Sequence, residues 1–319
     1  MDIAQEVIAA EQRIRPHIRN TLLEYSPYYS RLAKADVRFK LENLQHTGSF
    51  KLRGAMNKML SLSRAQRLRG VVTASTGNHG AAVAYGLGKL EATGIVFVPE
   101  NASPAKVRTI ELLGAEVRHF GDDTADTEAH ARSFAKKNDL TYIPPYNDPQ
   151  VIGGQGTIAL EISRELKKID AVFVALGGGG LISGIAAYLK SIHPRVEIIG
   201  CSPENSQVMI RSVAAGRILD LPSKPTISDG TAGGIEPGAV TFDLCCELID
   251  DYETVTEDEI KETLKMFLQN QHMLIEGSAA VAVAAMVKRR HHLAGKNVVV
   301  IICGANISVE MLRDVLLNK

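Results

Sequence analysis

The amino-acid sequence predicts an α/β fold whose strands are parallel. Short runs rich in β-branched residues recur along the chain, and a segment with helical apolar spacing follows each of them. The runs are almost wholly apolar, as expected of strands that helices cover on both faces. The predicted strands are residues 71–74, 94–98, 115–118, 171–176, 196–199 and 298–303.

Taken in order, the elements begin with an amphipathic helix near the N-terminus. The early acid Asp2 and the lack of a basic region before the apolar residues make this segment unlike a secretory signal. Helices are predicted after the strands, for example through Val83, Leu87 and Leu90 after the first strand. Residues 142–149 are rich in turn residues, which favours a crossing between domains. The apolar pattern alone leaves open whether the strands form one sheet or two.

Size and composition limit the classes of partner. A chain of 319 residues exceeds the usual size of a single core, so we expect two domains or one large α/β domain. Lys and Arg together number 36, as do Asp and Glu, so no net charge attracts nucleic acid or an anionic membrane. No apolar run approaches the ~18 residues of a membrane span. We therefore expect a small neutral or zwitterionic ligand, and neither nucleic acid nor a membrane as a partner.

The cysteine pattern is typical of reduced thiols in a cytoplasmic protein. The four cysteines show no C-x-x-C spacing, and all but Cys246 lie in or beside apolar runs. They are Cys201, Cys245, Cys246 and Cys303.

Two features predict an aldehyde cofactor that carries a phosphate. Lys51 lies at a predicted helix start, where a partly desolvated amine can condense with a carbonyl to form a Schiff base. Gly177–Gly180 lie between a predicted strand and a helix, where backbone N–H groups can surround a phosphate without obstruction by side chains. The alternatives are a surface lysine and a dinucleotide-binding loop. Ser183 stands where the third glycine of a dinucleotide motif belongs, which disfavours the second alternative.

Other polar residues lie next to the predicted strands. Residues 75–79 follow the first strand, and their hydroxyl and N–H groups can bind a substrate carboxylate or simply cap the next helix. His79 is interpreted as a structural histidine rather than a catalytic base. Cys303 lies at the end of the last predicted strand, and the alternative to a functional role is a buried thiol in the core.

Several motifs in order carry a resemblance to a known family. The chain resembles pyridoxal-phosphate enzymes of fold type II, which have the tryptophan synthase β-like fold, in the branch of threonine dehydratases and serine racemases. The resemblance implies a large domain of residues 1–69 and 147–319, a small inserted domain of residues 70–146, and a cleft between them that holds pyridoxal 5'-phosphate. It also implies a homodimer or higher homo-oligomer. The motifs are residues 39–51, 75–80, 153–157, 177–181, 229–230, 275–276 and 303–306.

The resemblance implies a role for each site residue. Lys51 would hold the cofactor and then act as general base, and Asn78 would contact the ring hydroxyl. Cys303 would face the pyridine nitrogen, and a neutral partner there favours rapid elimination over a long-lived carbanion. Thr76 would be a second catalytic residue. The further cofactor contacts implied are Phe50, Gly177, Gly178, Gly179, Gly180, Leu181 and Glu276, and the substrate contacts are Ser75, Thr76, Gly77, His79 and Gln155.

The implied activity is that of an ammonia-lyase, with L-threonine or L-serine as default substrate and a 2-oxo acid and ammonia as products. Racemisation is an alternative because the Thr76 hydroxyl can exchange a proton. Dehydration of a hydroxylated diamino acid, as in hydroxyectoine breakdown, is another, because the loop 229–238 is rich in glycine. A non-catalytic nucleotide- or cofactor-binding protein is the alternative from a different class. No metal is expected, because Ser202 replaces the carboxylate of relatives that bind a cation.

Overall fold

The computed structural model describes residues 2–317, and its strands form two sheets. The six-stranded sheet has the order β1-β2-β10-β7-β8-β9, and the four-stranded sheet has the order β5-β4-β3-β6. The strands are β1 Leu23–Tyr25, β2 Asp36–Leu41, β3 Val71–Ala74, β4 Gly94–Val98, β5 Glu116–His119, β6 Thr141–Tyr142, β7 Ala171–Ala175, β8 Glu197–Pro203, β9 Asp251–Val255 and β10 Asn297–Ile302.

Helices connect the strands along the whole described chain. Those near the N-terminus and in the first half are α1 Ile3–Ile14, α2 Pro27–Ala33, α3 Lys51–Ser61, α4 Arg64–Arg69, α5 Asn78–Leu90, α6 Pro104–Leu112 and α7 Thr124–Lys137. Those of the second half are α8 Pro149–Glu165, α9 Gly180–Ile192, α10 Val208–Ala215, α11 Val240–Leu248, α12 Glu257–Gln271, α13 Gly277–Lys288 and α14 Val309–Leu316.

The predicted α/β class and parallel pairing are confirmed. Each of the six predicted strands is present, with small shifts at the ends. Strand β8 continues to Pro203 because it pairs with β9 over that stretch. One pairing differs from the prediction: β1 runs antiparallel to β2 at one edge of the larger sheet.

The hydrophobic cores follow the two sheets. All five residues of β7 are buried, and β10 is buried from Val298 onward, because helices cover both faces of the larger sheet. The four-stranded sheet lies wholly within residues 71–142. One of its cores also contains Leu52, Met56 and Met59 of α3, because this helix packs against α5 as well as against α8. The division into domains at residues 70 and 146 stays a prediction.

The cysteines agree with the expected thiols. All four are free, with Cys201, Cys245 and Cys303 buried and Cys246 exposed. Among residues 2–317, no helix is both long and apolar enough to cross a membrane.

Candidate active site

A cleft of about 1930 Å³ lies where both sheets present the carboxyl ends of their strands. The segments that follow β3, β7 and β10 all line it, and α3, α5, α9 and α13 begin at its wall. Converging helix N-termini favour bound anions, because their free N–H groups carry partial positive charge. The predicted site residues in the lining are Phe50, Lys51, Ser75, Thr76, Gly77, Asn78, His79, Gly177, Gly178, Gly179, Gly180, Leu181, Glu276 and Cys303.

The segment before Lys51 is fixed to the end of β10. Gly48 has a φ of +72°, a conformation that glycine adopts without strain, and this turn brings Ser49 into an isolated bridge with Gly304. The Phe50 N–H donates to the Cys303 carbonyl at 3.0 Å. Helix α3 therefore starts at a defined place, and its first residue is Lys51.

Lys51 is held in a partly buried position in the cleft. Its Nζ donates a hydrogen bond to the Pro145 carbonyl at 2.8 Å and lies 5.3 Å from the Phe50 ring centroid. Burial lowers the pKa of this amine to about 8, although nearby Cys303 and Glu276 oppose the shift. At pH 7 about a tenth of the amine is then neutral, which is ~300-fold more than at the ordinary pKa of 10.5. Lys51 is thus able to act as a nucleophile and a base.

The glycine loop leaves no room for side chains. A Cβ on Gly178 would lie 2.6 Å from the Tyr146 ring, and one on Gly177 would lie 2.9 Å from the Thr231 Cα. Gly179 has a φ of +87° and lies directly before α9. A cradle of bare backbone at a helix N-terminus fits a phosphate group.

A network centred on Glu276 connects two other predicted cofactor contacts. The Asn78 Nδ2 donates to both carboxylate oxygens, at 3.0 and 3.1 Å, and the Cys303 Sγ lies 3.8 Å from one of them. The Asn306 N–H donates to the same carboxylate at 3.0 Å, and the Asn306 amide also donates to Asn78. Burial raises the pKa of Glu276 to about 7, against the effect of these hydrogen bonds. Burial also raises the pKa of the Cys303 thiol well above its usual value, so the thiol is neutral.

The loop between β3 and α5 makes a tight turn into the cleft. A Cβ on Gly80 would lie 2.2 Å from the Ser75 carbonyl oxygen, so the close approach requires glycine. The Gly77 N–H donates to the Ser75 hydroxyl at 3.2 Å. The His79 Nε2 lies 3.0 Å from the Ile143 carbonyl, and burial lowers the pKa of this histidine to about 3. A neutral ring bound to a carbonyl agrees with the interpretation of His79 as a structural residue.

The structure does not bring Gln155 into the lining of the cleft. This side chain on α8 is 1% exposed, and its Oε1 accepts a hydrogen bond from the Gly54 N–H at 3.1 Å. The family motif around Gln155 indicated a functional residue, but its place is between two helices.

Sequence reasoning missed some residues of the lining. Tyr146 lies against the glycine loop and Asn306 completes the Glu276 network, yet neither was assigned a role. The signal for Asn306 was present, since it belongs to the motif that begins at Cys303. Tyr146 lies in the turn-rich stretch, where the pattern carries no information about the cleft.

A family model for "Pyridoxal-phosphate dependent enzyme" matches residues 14–304. The chain belongs to this family. The predicted family and cofactor are thereby confirmed, and the glycine cradle beside Lys51 fits the phosphate and aldehyde of pyridoxal phosphate.

Relatives and solved structures agree with this membership. This pyridoxal-phosphate-dependent enzyme is 38% identical to the L-threonine dehydratase catabolic TdcB of Escherichia coli over 312 residues, which are 97% of this chain and 94% of that protein. The processed form of threonine deaminase isoform 2 from Solanum lycopersicum has a TM-score of 0.94 at 35% identity, over 98% of this chain and 92% of that one. Maize serine racemase has a TM-score of 0.91 at 30% identity, over 99% of this chain and 97% of that one.

Proposed function

We propose that this enzyme is an ammonia-lyase that eliminates water from a β-hydroxy-α-amino acid, with L-threonine or L-serine as substrate; hydrolysis of the resulting enamine consumes one water, so the net products are a 2-oxo acid and ammonia. The observation that carries the proposal is that the desolvated Lys51 amine and the Gly177–Gly180 cradle line the same cleft. The names of the threonine dehydratase and threonine deaminase relatives support the reaction type.

Lys51 has two tasks in this proposal. Pyridoxal phosphate, when bound, supplies a carbonyl for amines and an electron sink for the pair released at the substrate Cα. The Lys51 amine holds that carbonyl until the substrate amine displaces it, and then takes the α-proton as general base. A pKa of about 8 suits this task, because the free base is accessible near neutral pH and the conjugate acid still forms.

The remaining residues hold the cofactor and orient the substrate. Gly177–Gly180 with Leu181 would bind the phosphate, and Phe50 would contact the cofactor beside Lys51. Asn78 would bind the ring hydroxyl, and the neutral Cys303 thiol would face the ring nitrogen without giving it a full proton. Glu276 is hydrogen-bonded to Asn78 and lies close to Cys303, so it would keep both in place.

The start of α5 would bind the substrate carboxylate. Ser75, Thr76 and Gly77 line the cleft at this helix N-terminus, where hydroxyl and N–H donors meet partial positive charge. His79 would shape the wall behind them. With the carboxylate fixed here, Lys51 would take the α-proton, and the β-hydroxyl would take up a proton and leave as water. The Lys51 amine would then displace the product enamine from the cofactor carbonyl, and water would convert the enamine to a 2-oxo acid and ammonia.

A second candidate is elimination from a longer β-hydroxy amino acid, such as a hydroxylated diamino acid. The observation that favours it is open space: a Cβ on Gly233 or Gly234 in the lining of the cleft would meet no atom within 4 Å. Racemisation is a further candidate, supported by the Thr76 hydroxyl in the lining and by the likeness to serine racemase.

We also propose a cytoplasmic homodimer or higher homo-oligomer. The free thiols support the compartment, and the exposed apolar side chains of Leu22, Tyr25 and Tyr28 beside the edge strand β1 support self-association. Sedimentation of the purified protein tests the second point, since a monomer at micromolar concentration contradicts it.

The test of function is a product assay over a panel of β-hydroxy amino acids. From L-threonine or L-serine, the wild-type enzyme should form one ammonia for each 2-oxo acid. The Lys51→Ala variant should form neither product. If the cofactor-loaded enzyme forms no 2-oxo acid from any amino acid of the panel, the proposal is wrong.

A further inference from the structure

Four charged side chains are buried together beneath helix α3. Lys40 of β2, Glu42, Arg53 of α3 and Glu161 of α8 are each 0–1% exposed, and we name them the buried ion cluster. The Lys40 Nζ lies 2.5 Å from Glu161 Oε2, and the Arg53 Nε lies 2.7 Å from Glu42 Oε2. Positive and negative charges are equal in number within this cluster.

Arg53 is the member that joins the cluster to the catalytic helix. Its guanidinium donates to both oxygens of Glu42, at 2.7 and 2.8 Å, and to both oxygens of Glu161, at 2.7 and 2.9 Å. A further bond reaches the Thr157 hydroxyl at 3.1 Å. Only the planar fork of arginine can serve two carboxylates in this way. Salt-bridge partners also lower the pKa of Glu161 to about 2, so this carboxyl stays ionised.

Stability alone does not account for such a cluster. Removing charges from water costs several kcal/mol per ion, and well-packed apolar side chains of the same volume are often as stable or more so. What buried ion pairs provide is a fixed geometry, because any displacement leaves a charge without its partner. The question is therefore which part of the chain this geometry fixes.

The first turn of α3 is held from outside the helix. Its N-cap residue is Phe50, which offers no side-chain hydrogen bond to the helix start. Instead, Gln155 accepts the Gly54 N–H, and a Cβ on Gly154 would lie 2.7 Å from the Gly54 Cα, so α3 and α8 are in backbone contact here. Arg53 lies in this turn, two residues after Lys51, and cannot shift without moving it.

We propose that Arg53 is a positioning residue for Lys51: its bonds to Glu42 and Glu161 fix the first turn of α3, and so keep the Lys51 amine in its desolvated place beside the Pro145 carbonyl. The proposal rests on the catalytic role proposed above for Lys51. Gln155, whose side chain binds the same turn, acts with Arg53 rather than on the substrate.

The test uses Arg53→Lys, which keeps the charge and removes the fork. In cofactor-free protein, the pH dependence of Lys51 labelling by trinitrobenzenesulfonate, read by peptide mass, gives the pKa of the amine. We expect this pKa to rise from about 8 toward 10.5 in the variant. In the loaded enzyme we expect kcat to fall about tenfold or more with a smaller change in KM, because small displacements of a reacting group are costly.

Arg15→Lys is the matched control. Arg15 Nη2 also contacts Glu161, at 2.6 Å, but it lies in the 3-10 turn Arg15–His17 rather than on α3. This variant should leave both the Lys51 pKa and kcat as in the wild type. A wild-type Lys51 pKa in folded Arg53→Lys, or an equal shift in Arg15→Lys, overturns the proposal.

If Arg53→Lys does not fold, Thr157→Val decides the matter. It removes one acceptor of the Arg53 guanidinium, and we expect a smaller rise in the Lys51 pKa; no rise overturns the proposal. These labelling data need no bound cofactor. They remain decisive even if the product assay shows that the proposed reaction is wrong.

Discussion

Lys51, the proposed catalytic lysine, should destabilise the cofactor-free protein. In the folded chain, burial lowers the pKa of Lys51 from 10.5 to about 8, which means that the protonated amine is less favourable there than in the unfolded chain. Replacing it by an apolar side chain of similar length, Lys51→Met, removes this penalty. The variant should therefore be inactive and yet more stable at pH 7.

The size of the expected gain in stability follows from the lowered pKa of Lys51. A fall from 10.5 to about 8 corresponds to an upper limit of about 3 kcal/mol, which partial exposure of the side chain reduces to about 2 kcal/mol. The hydrogen bond to the Pro145 carbonyl is lost as well, at about 1 kcal/mol. We expect a net gain of about 1 kcal/mol in the free energy of unfolding at pH 7.

The stability of the wild type depends on pH through the same pKa difference. Between pH 8 and 10.5 the unfolded chain binds the Lys51 proton and the folded chain does not, so wild-type stability rises with pH across this window. Urea unfolding of both cofactor-free proteins at pH 7 and pH 10 measures the difference, which should shrink or reverse at pH 10. Lys58→Met is the control on the same helix; it breaks an ion pair with Asp148 at 2.6 Å and should lower stability. A Lys51→Met protein less stable than wild type at pH 7 would contradict the destabilising effect of the buried amine.

Three further predictions concern the cleft. Gly178→Asp adds a carboxylate and a Cβ that would lie 2.6 Å from the Tyr146 ring, so the affinity for the cofactor, measured by titration, should fall at least about tenfold. The control Gly216→Asp places its Cβ in open space and should leave this affinity unchanged. Thr76→Ala should abolish any D-serine made from L-serine and largely retain 2-oxo acid formation; chiral chromatography measures both, and equal loss of the two products would contradict the assignment. Gly234→Leu should reduce kcat/KM for β-hydroxy amino acids with longer side chains and spare L-serine, because the added side chain enters open cleft space; unchanged selectivity would argue against the longer substrates.

Five of the six strands that the sequence predicted, β3, β4, β7, β8 and β10, are buried almost throughout. The sixth, β5, is an edge strand with Glu116, Arg118 and His119 exposed. Strand β2 was missed because Asp36, Arg38 and Lys40 interrupt its apolar pattern, although Lys40 is fully buried in an ion pair with Glu161. Strand β9 was missed because it is a half-exposed edge strand with two acids, and β6 has only two residues. Their pairing depends on partners that lie far away in the sequence.

The site was predictable where chemistry requires a residue type in a particular local setting. A lysine at a helix start and four glycines after a buried strand pointed to residues that the structure brings together in the lining of one cleft. Gln155 lies outside the lining of the cleft, which the motif could not indicate because it does not show which side of α8 faces the cleft. Its side chain instead accepts the Gly54 N–H of α3. The buried ion cluster was missed for a similar reason: charged residues in sequence are expected on the surface unless their partners are known.

Reduction of the cofactor-loaded enzyme with borohydride, followed by peptide mapping, identifies the lysine that holds the cofactor. Borohydride converts the bond between the cofactor carbonyl and a lysine amine into a stable secondary amine, so the labelled peptide identifies the lysine. We expect a single labelled site at Lys51, and no label in Lys51→Ala. A label on another lysine, or an unlabelled Lys51 in protein that still forms 2-oxo acid, would contradict it.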